Sequence, residues 1–151
     1  MLINLLVKDG FKVAITGGST EIDVCKELYD LIDDNYKNRV INLAGKTTLS
    51  QLFALYDNVK LVISNDTGPM HIAAAQKCKV IGLFGPETPD RYSPYCKDCK
   101  SIYHKIPCSP CINIQYGRVP GCKNIVEIED GYKTSLCMSK ITGEQGIAKA
   151  N

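Results

Sequence analysis

The run Leu61–Arg91, LVISNDTGPMHIAAAQKCKVIGLFGPETPDR, leaves a chain few ways to fold. Leu61-Val62-Ile63 is a short apolar, β-branched run, suited to a strand buried on both faces. It stops at Ser64-Asn65-Asp66, and Thr67-Gly68-Pro69 turns the chain into a helix. Pro69 fits the first helical position, where its missing N–H leaves no bond unmade. Ile72, Ala73, Ala74 and Ala75 then predict a small-residue helix that can lie close on a sheet. Val80-Ile81-Gly82-Leu83-Phe84 reads as a second strand, ending at the Gly85-Pro86 turn. The result is a β-loop-α-β unit whose polar residues gather where the strands end. In open α/β sheets, that edge is where ligands bind.

The chemistry of Asp66–His71 follows from that placement. Free N–H groups around Thr67, Gly68 and Met70 are expected to point out of the helix N-terminus, carrying the positive end of its dipole. Gly68 lets an anion approach the backbone without a Cβ in the way. The Thr67 hydroxyl can donate to a phosphate oxygen, and His71 can add a donor beside it. Such a loop prefers phosphate or pyrophosphate. The plainer reading makes Asp66 an N-cap and His71 a surface histidine.

Elsewhere, Met1–Lys8 predicts the end of an amphipathic helix closed by Asp9-Gly10, and Phe11–Thr16 a strand ending in Gly17-Gly18. Thr20–Asp34 predicts a helix with Val24, Leu28, Leu31 and Ile32 at helical spacing. Val40–Leu43 is a further strand, with Ala44-Gly45-Lys46 as its exit loop. Thr47–Tyr56 is a short helix, capped by Thr47 or Thr48, with Leu49, Leu52, Phe53 and Leu55 facing inward. Strands alternating with helices imply an α/β, Rossmann-like parallel sheet with right-handed crossovers. Three loops then leave strand ends on one edge: Gly17–Glu21, Ala44–Thr47 and Asp66–His71. Gly17 and Gly18 permit close backbone approach, and Glu21 suits a ribose hydroxyl pair or simply the acid-favouring first turn of a helix. Lys46 either neutralises phosphate charge or is a solvated loop cation.

A chain of 151 residues, 44% hydrophobic and 23% charged, is one ordinary globular domain able to bury a core. Its net charge of +2 is not concentrated in a basic block, so nothing calls for nucleic acid. No apolar run approaches the length of a membrane span, and Met1–Val7 lacks a cleavage site. Of 8 cysteines, Cys96 and Cys99 form one C-x-x-C and Cys108 and Cys111 another, with Cys122 and Cys137 alone. Paired C-x-x-C motifs signal zinc; the plainer reading is reduced thiols packed as small hydrophobes. Two other functions compete. One is a zinc-ribbon-like interaction module using Tyr92, Tyr95, Lys97, Lys100, Tyr103, His104 and Lys105, diluted by Asp98, Glu127, Glu129 and Asp130. The other is a thiol oxidoreductase, disfavoured because Lys97-Asp98 and Ser109-Pro110 sit in loop-like surroundings.

N-D-T-G-P-M-H-I-A-A-A (65–75), followed by F-G-P-E-T-P-D-R-Y-S-P-Y (84–95), resembles the C-terminal half of glycosyltransferase family 9, the ADP-heptose:lipopolysaccharide heptosyltransferases and their relatives. V-A-I-T-G-G-S-T-E (13–21), I-N-L-A-G-K-T-T-L-S-Q-L-F-A-L (41–55), C-S-P-C (108–111) and C-M (137–138) also look like the family, in the same order. The resemblance implies a GT-B enzyme with its active site between two Rossmann-like halves. The C-terminal half would hold a nucleotide-sugar donor, ADP-heptose by default, through Asp66, Thr67, Gly68, His71, Gly17, Gly18, Glu21 and Lys46. The transfer would invert the anomeric centre, with diphosphate as leaving group stabilised by the helix N-terminus and His71. It implies no required cofactor, a lipopolysaccharide core or lipid-linked acceptor, and a cytoplasmic location peripheral to the inner membrane face.

The sequence departs from that pattern where the acceptor half, its catalytic base and the opening strand of the donor half would stand. The expectation is therefore a donor-binding domain over 1–92 with its first strand missing, a Cys-rich loop segment over 93–140, and a truncated helix start over 141–151. A gap is expected between the strand ending at Thr16 and the one ending at Ser64. The resemblance covers Cys108, Cys111, Cys122 and Cys137 but not Cys96 or Cys99, which makes that quartet the expected thiolate site for a structural zinc. No catalytic residue is expected in this chain, and no transfer by it alone.

Overall fold

The computed structural model describes residues 1–112, 117, 120–128 and 131–150; Glu129 and Asp130 of the zinc-ribbon reading lie outside them. The chain opens with helix α1 (Leu2–Lys8), strand β1 (Val13–Ile15), helix α2 (Ile22–Asp30), strand β2 (Val40–Asn42) and helix α3 (Leu49–Tyr56). Strand β3 (Val62–Asn65), helix α4 (Gly68–Ala75), strand β4 (Val80–Phe84), the short helix α5 (Pro89–Tyr92) and strand β5 (Lys100–Tyr103) follow. Strands β6 (Ile125–Glu127) and β7 (Lys133–Ser135) form an antiparallel pair, and helices α6 (Leu136–Ser139) and α7 (Gly143–Ala150) close the described chain.

Every pairing in the first two sheets is parallel. β1 lies beside β2, while β3, β4 and β5 form a second sheet in that order. Among the described residues no strand joins β1 to β3. An apolar cluster spans that interval: Leu6 of α1, Ile81, Ile102 and Ala150 of α7 pack together with Val13, Leu61 and Ile63 against them.

The sheet also extends past residue 92, because β5 pairs with β4 from Ile81↔Lys100 to Phe84↔Tyr103. The segment read as a Cys-rich loop thus contributes a strand to the core. Its Ile102 is 4% exposed, and burial of a β-branched side chain there contributes about 1.5–3 kcal/mol.

Two helices present different faces from those their spacing suggested. In α2 and its exit, Cys25, Leu28, Tyr29 and Ile32 pack on β1 and β2, while Val24 and Leu31 are exposed. That set is an i, i+3, i+4, i+7 stripe, anchored where Cys25 meets the Gly17 loop. In α3, Tyr56 is buried and Leu52 packs inward, whereas Leu49 and Phe53 lie on the exposed side. Of the small residues of α4, Ala73 and Ala74 face the sheet and Ala75 is exposed. Met70, Ala73 and Ala74 are buried against Val80 and Phe84.

Candidate functional site

The loop after β3 begins level with the end of β4, because Asn65 pairs with Leu83. Thr67 is the N-cap of α4, yet its side chain makes no capping bond. Its hydroxyl turns back instead, donating to the Asn65 carbonyl at 3.3 Å and lying 3.3 Å from Ser64 Oγ. Asp66 is therefore not the cap. The Met70 N–H, expected to be free, is bonded to the Thr67 carbonyl at 3.1 Å. Gly68 opens the helix with Pro69 in its first turn, and nothing lies within 4 Å of where a Gly68 Cβ would stand. The start of this eight-residue helix is open and lacks a side-chain cap, leaving its dipole end available to an anion.

Asp66 and His71 meet across this turn, with Nε2 of the imidazole 3.7 Å from Oδ1 of the carboxylate. Burial pushes the Asp66 carboxyl above its ordinary value; His71 pulls it back down and Glu87 raises it again. A carboxylate not named by the motif thus stands close enough to Asp66 to act on it. Glu87, just beyond β4, is 6% exposed and lines a cavity of about 330 Å³ with Thr88, Asp90, Arg91, Pro110, Cys111 and Ile112. The sequence signal was present in F-G-P-E-T-P, but nothing in its spacing showed that this acid would be buried.

The other two loops meet each other. The Gly45 N–H bonds the Gly17 carbonyl at 2.9 Å, and Gly45 takes φ +68°, a left-handed turn that favours glycine. The Glu21 carboxylate accepts the Gly18 N–H at 2.7 Å, so it closes its own turn, while Lys46 Nζ donates to the Asn42 carbonyl at 3.0 Å. Both side chains remain exposed at the C-terminal edge of the β1–β2 sheet. Gly17, Gly18, Glu21 and Lys46 form one group; Asp66, Thr67, Gly68 and His71 form another. Among the described residues no hydrogen bond joins the two groups.

Cys108, Cys111, Cys122 and Cys137 converge from three segments on one cavity of about 100 Å³, walled also by Pro86, Ile112, Pro120 and Leu136. Burial pushes the Cys111 thiol up, reinforced by Cys137, Cys108 and Cys122. Among the described residues, however, no group of three or more His, Cys, Asp or Glu is arranged to hold a metal ion. The four thiols share one largely apolar cavity. Nothing in this arrangement favours the zinc-ribbon alternative. Cys96 and Cys99 are joined as a disulfide.

The cysteine loop is nonetheless fastened to the site. Cys111 and Ile112 both donate N–H to the Pro86 carbonyl, at 2.8 and 3.0 Å, and the Ser109 hydroxyl donates to the Gly85 carbonyl. A Cβ on Gly85 would meet Met138 Sδ at 2.5 Å and Cys137 Sγ at 2.9 Å. That glycine lets α6 pack directly over the end of β4.

Comparison with known proteins bears on the whole arrangement. The sequence profile of glycosyltransferase family 9 (heptosyltransferase) matches residues 1–117. Lipooligosaccharide heptosyltransferase 2 of Haemophilus influenzae is 33% identical over 150 residues, covering 99% of this chain and 40% of that protein. Lipopolysaccharide heptosyltransferase 2 of Salmonella typhimurium is 30% identical over 110 residues, 70% of this chain and 32% of that protein. Among solved structures, E. coli ADP-heptose lps heptosyltransferase II superposes with a TM-score of 0.75 at 24% identity, over 98% of this chain and 38% of that one. E. coli heptosyltransferase WaaC with ADP gives a TM-score of 0.59 at 28% identity, over 66% of this chain and 30% of that one. The chain thus spans less than half the length of these relatives. No described helix is long and apolar enough to cross a membrane. With its parallel sheet edge, its N-D-T-G-P-M-H turn and a matching profile over most of its length, the chain belongs to glycosyltransferase family 9.

Proposed function

We propose that this chain is the donor-binding portion of an inverting glycosyltransferase that moves heptose, or a related sugar, from an ADP-linked donor to a lipopolysaccharide core acceptor. The observation that carries the reading is the Asp66–His71 pair, 3.7 Å apart at the uncapped start of α4 and on the C-terminal edge of a parallel sheet. In this role the first turn of α4 and His71 hold the diphosphate. They stabilise the charge that grows on it as the glycosidic bond breaks. Glu21 and the Gly17-Gly18 turn take the ribose, once Glu21 releases the Gly18 N–H. Lys46 swings from the Asn42 carbonyl to the phosphates.

The ADP half of the reading is supported by a related heptosyltransferase described with ADP, 28% identical over 66% of this chain. The sugar and acceptor are supported by the relatives' names alone. In this reading the base that deprotonates the acceptor hydroxyl lies outside these residues, and the chain by itself transfers no sugar. Calorimetric titration of the purified chain with ADP and with UDP tests the site. ADP is expected to bind more tightly, and equal or undetectable binding of both would overturn the reading.

A further inference from the structure

Glu87 carries a cost that the diphosphate site does not explain. Its side chain is 94% buried by the 6% exposure of the residue. One oxygen, Oε1, accepts the Thr88 N–H at 2.9 Å, but Oε2 is buried with no hydrogen-bond partner. Leaving such a group unsatisfied costs about 1–3 kcal/mol, and more when it is charged. Buried polar groups are otherwise almost always paired, so an orphan at a ligand-binding edge marks a bond that something else completes.

The chemistry restricts what completes it. An ionised carboxylate only accepts hydrogen bonds, so its ligand must bring donors. A phosphate is disfavoured against Glu87 itself, since Asp66 lies within its field and Asp90 lines the same cavity, with Arg91 the one cation among its lining residues. A metal ion is disfavoured because these acids are not grouped to hold one. Neutral hydroxyl groups fit both constraints. Position points the same way. Asp66 leaves β3 beside the end of β4, and Glu87 stands three residues beyond Phe84 on that neighbouring strand.

We infer that Glu87 binds the sugar of the donor, its Oε2 turning out of its occluded position into the adjoining cavity to accept hydroxyl protons while the first turn of α4 holds the diphosphate. The inference rests on the donor-site reading and adds to it the residue that recognises the glycosyl group. Thr88 and Asp90, on the same cavity wall, offer further polar contacts.

Titration of the chain and of Glu87→Gln with ADP and with ADP-heptose separates the two claims, with thermal unfolding as a check of the fold. The unsubstituted chain is expected to bind ADP-heptose more tightly than ADP. Glu87→Gln is expected to weaken ADP-heptose by about 10- to 100-fold, as for loss of a charge-assisted hydrogen bond, and to leave ADP unchanged. A folded Glu87→Gln chain with undiminished ADP-heptose affinity overturns the role of Glu87 alone, as does equal loss of both ligands. Failure of the unsubstituted chain to bind ADP overturns the donor site and this inference with it. If Glu87→Gln does not fold, Glu87→Asp, which keeps the charge but shortens its reach, is judged by the same comparison.

Discussion

Nε2 of His71 sits 3.7 Å from Oδ1 of Asp66, one turn of chain apart and at the same helix start. The pair couples a partly buried carboxylate to a more exposed imidazole, so each residue can be tested through the other. Removing the imidazole deletes a donor at the proposed diphosphate position. His71→Ala is expected to lower ADP affinity by about 10-fold or more, since bonds to charged groups are worth about 1.5–3 kcal/mol. Calorimetry against the unsubstituted chain measures it.

Asp66 should also shape the response of stability to pH. Its carboxyl is raised above the ordinary value, chiefly by burial, so the folded state holds that proton more tightly than the unfolded chain. The stabilising contribution is present in acid, below the unfolded value, and is lost as pH rises through the raised folded value. Asp66→Asn is therefore expected to raise the unfolding temperature at neutral pH, with the gain shrinking toward acid. Melting curves across that range decide it; a gain that grows in acid would contradict the sign.

Thr48 and Gln51 cap α3 reciprocally. Gln51 N–H bonds Thr48 Oγ1 at 3.3 Å, and Gln51 Oε1 accepts the Thr48 N–H at 2.9 Å. Loss of such a cap costs about 1 kcal/mol. Thr48→Ala should lower denaturant-derived stability by about that amount, while Thr47→Ala leaves it near unchanged.

The thiols should react in an order set by burial. Burial pushes Cys25 and Cys78 up from ordinary thiol values, and both are buried; Cys108 and Cys122 are exposed. Because the thiolate is the nucleophile, alkylation of the native chain at mildly alkaline pH should label Cys108 and Cys122 first and Cys25 and Cys78 last. Peptide mass mapping over time reads the order. Cys96 and Cys99 stay unlabelled until reduced, as their disulfide requires.

Gly85 tests how firmly the cysteine-rich segment is seated. Gly85→Ala drives a methyl into Met138 and Cys137, and overpacking of this kind costs about 1–3 kcal/mol. A stability drop of that size, accompanied by faster labelling of Cys137, is the expected result.

Much of this was written locally. Strand, turn and helix from Val62 to Phe84 follow from a β-branched run, a Gly-Pro turn and an alanine-rich segment, each read from its nearest neighbours. The meeting of Asp66 and His71 was legible for the same reason, since five residues across one turn leave little freedom. Which face of α2 and α3 is buried was not legible. Val24, Leu31, Leu49 and Phe53 are as apolar as the residues that went inside. Only the elements packed against each helix select one stripe over another.

By itself, then, the sequence determined the strand, turn and helix from Val62 to Phe84, the parallel order of β3 and β4 and the glycine-opened turn between them, because these depend on backbone geometry and short-range spacing. Tertiary structure alone decided that Glu87 would be buried with an orphan oxygen beside Asp66. It alone brought four cysteines from three segments to one cavity. Burial and convergence are set by what distant parts of the chain cover, and no local pattern of residues encodes that.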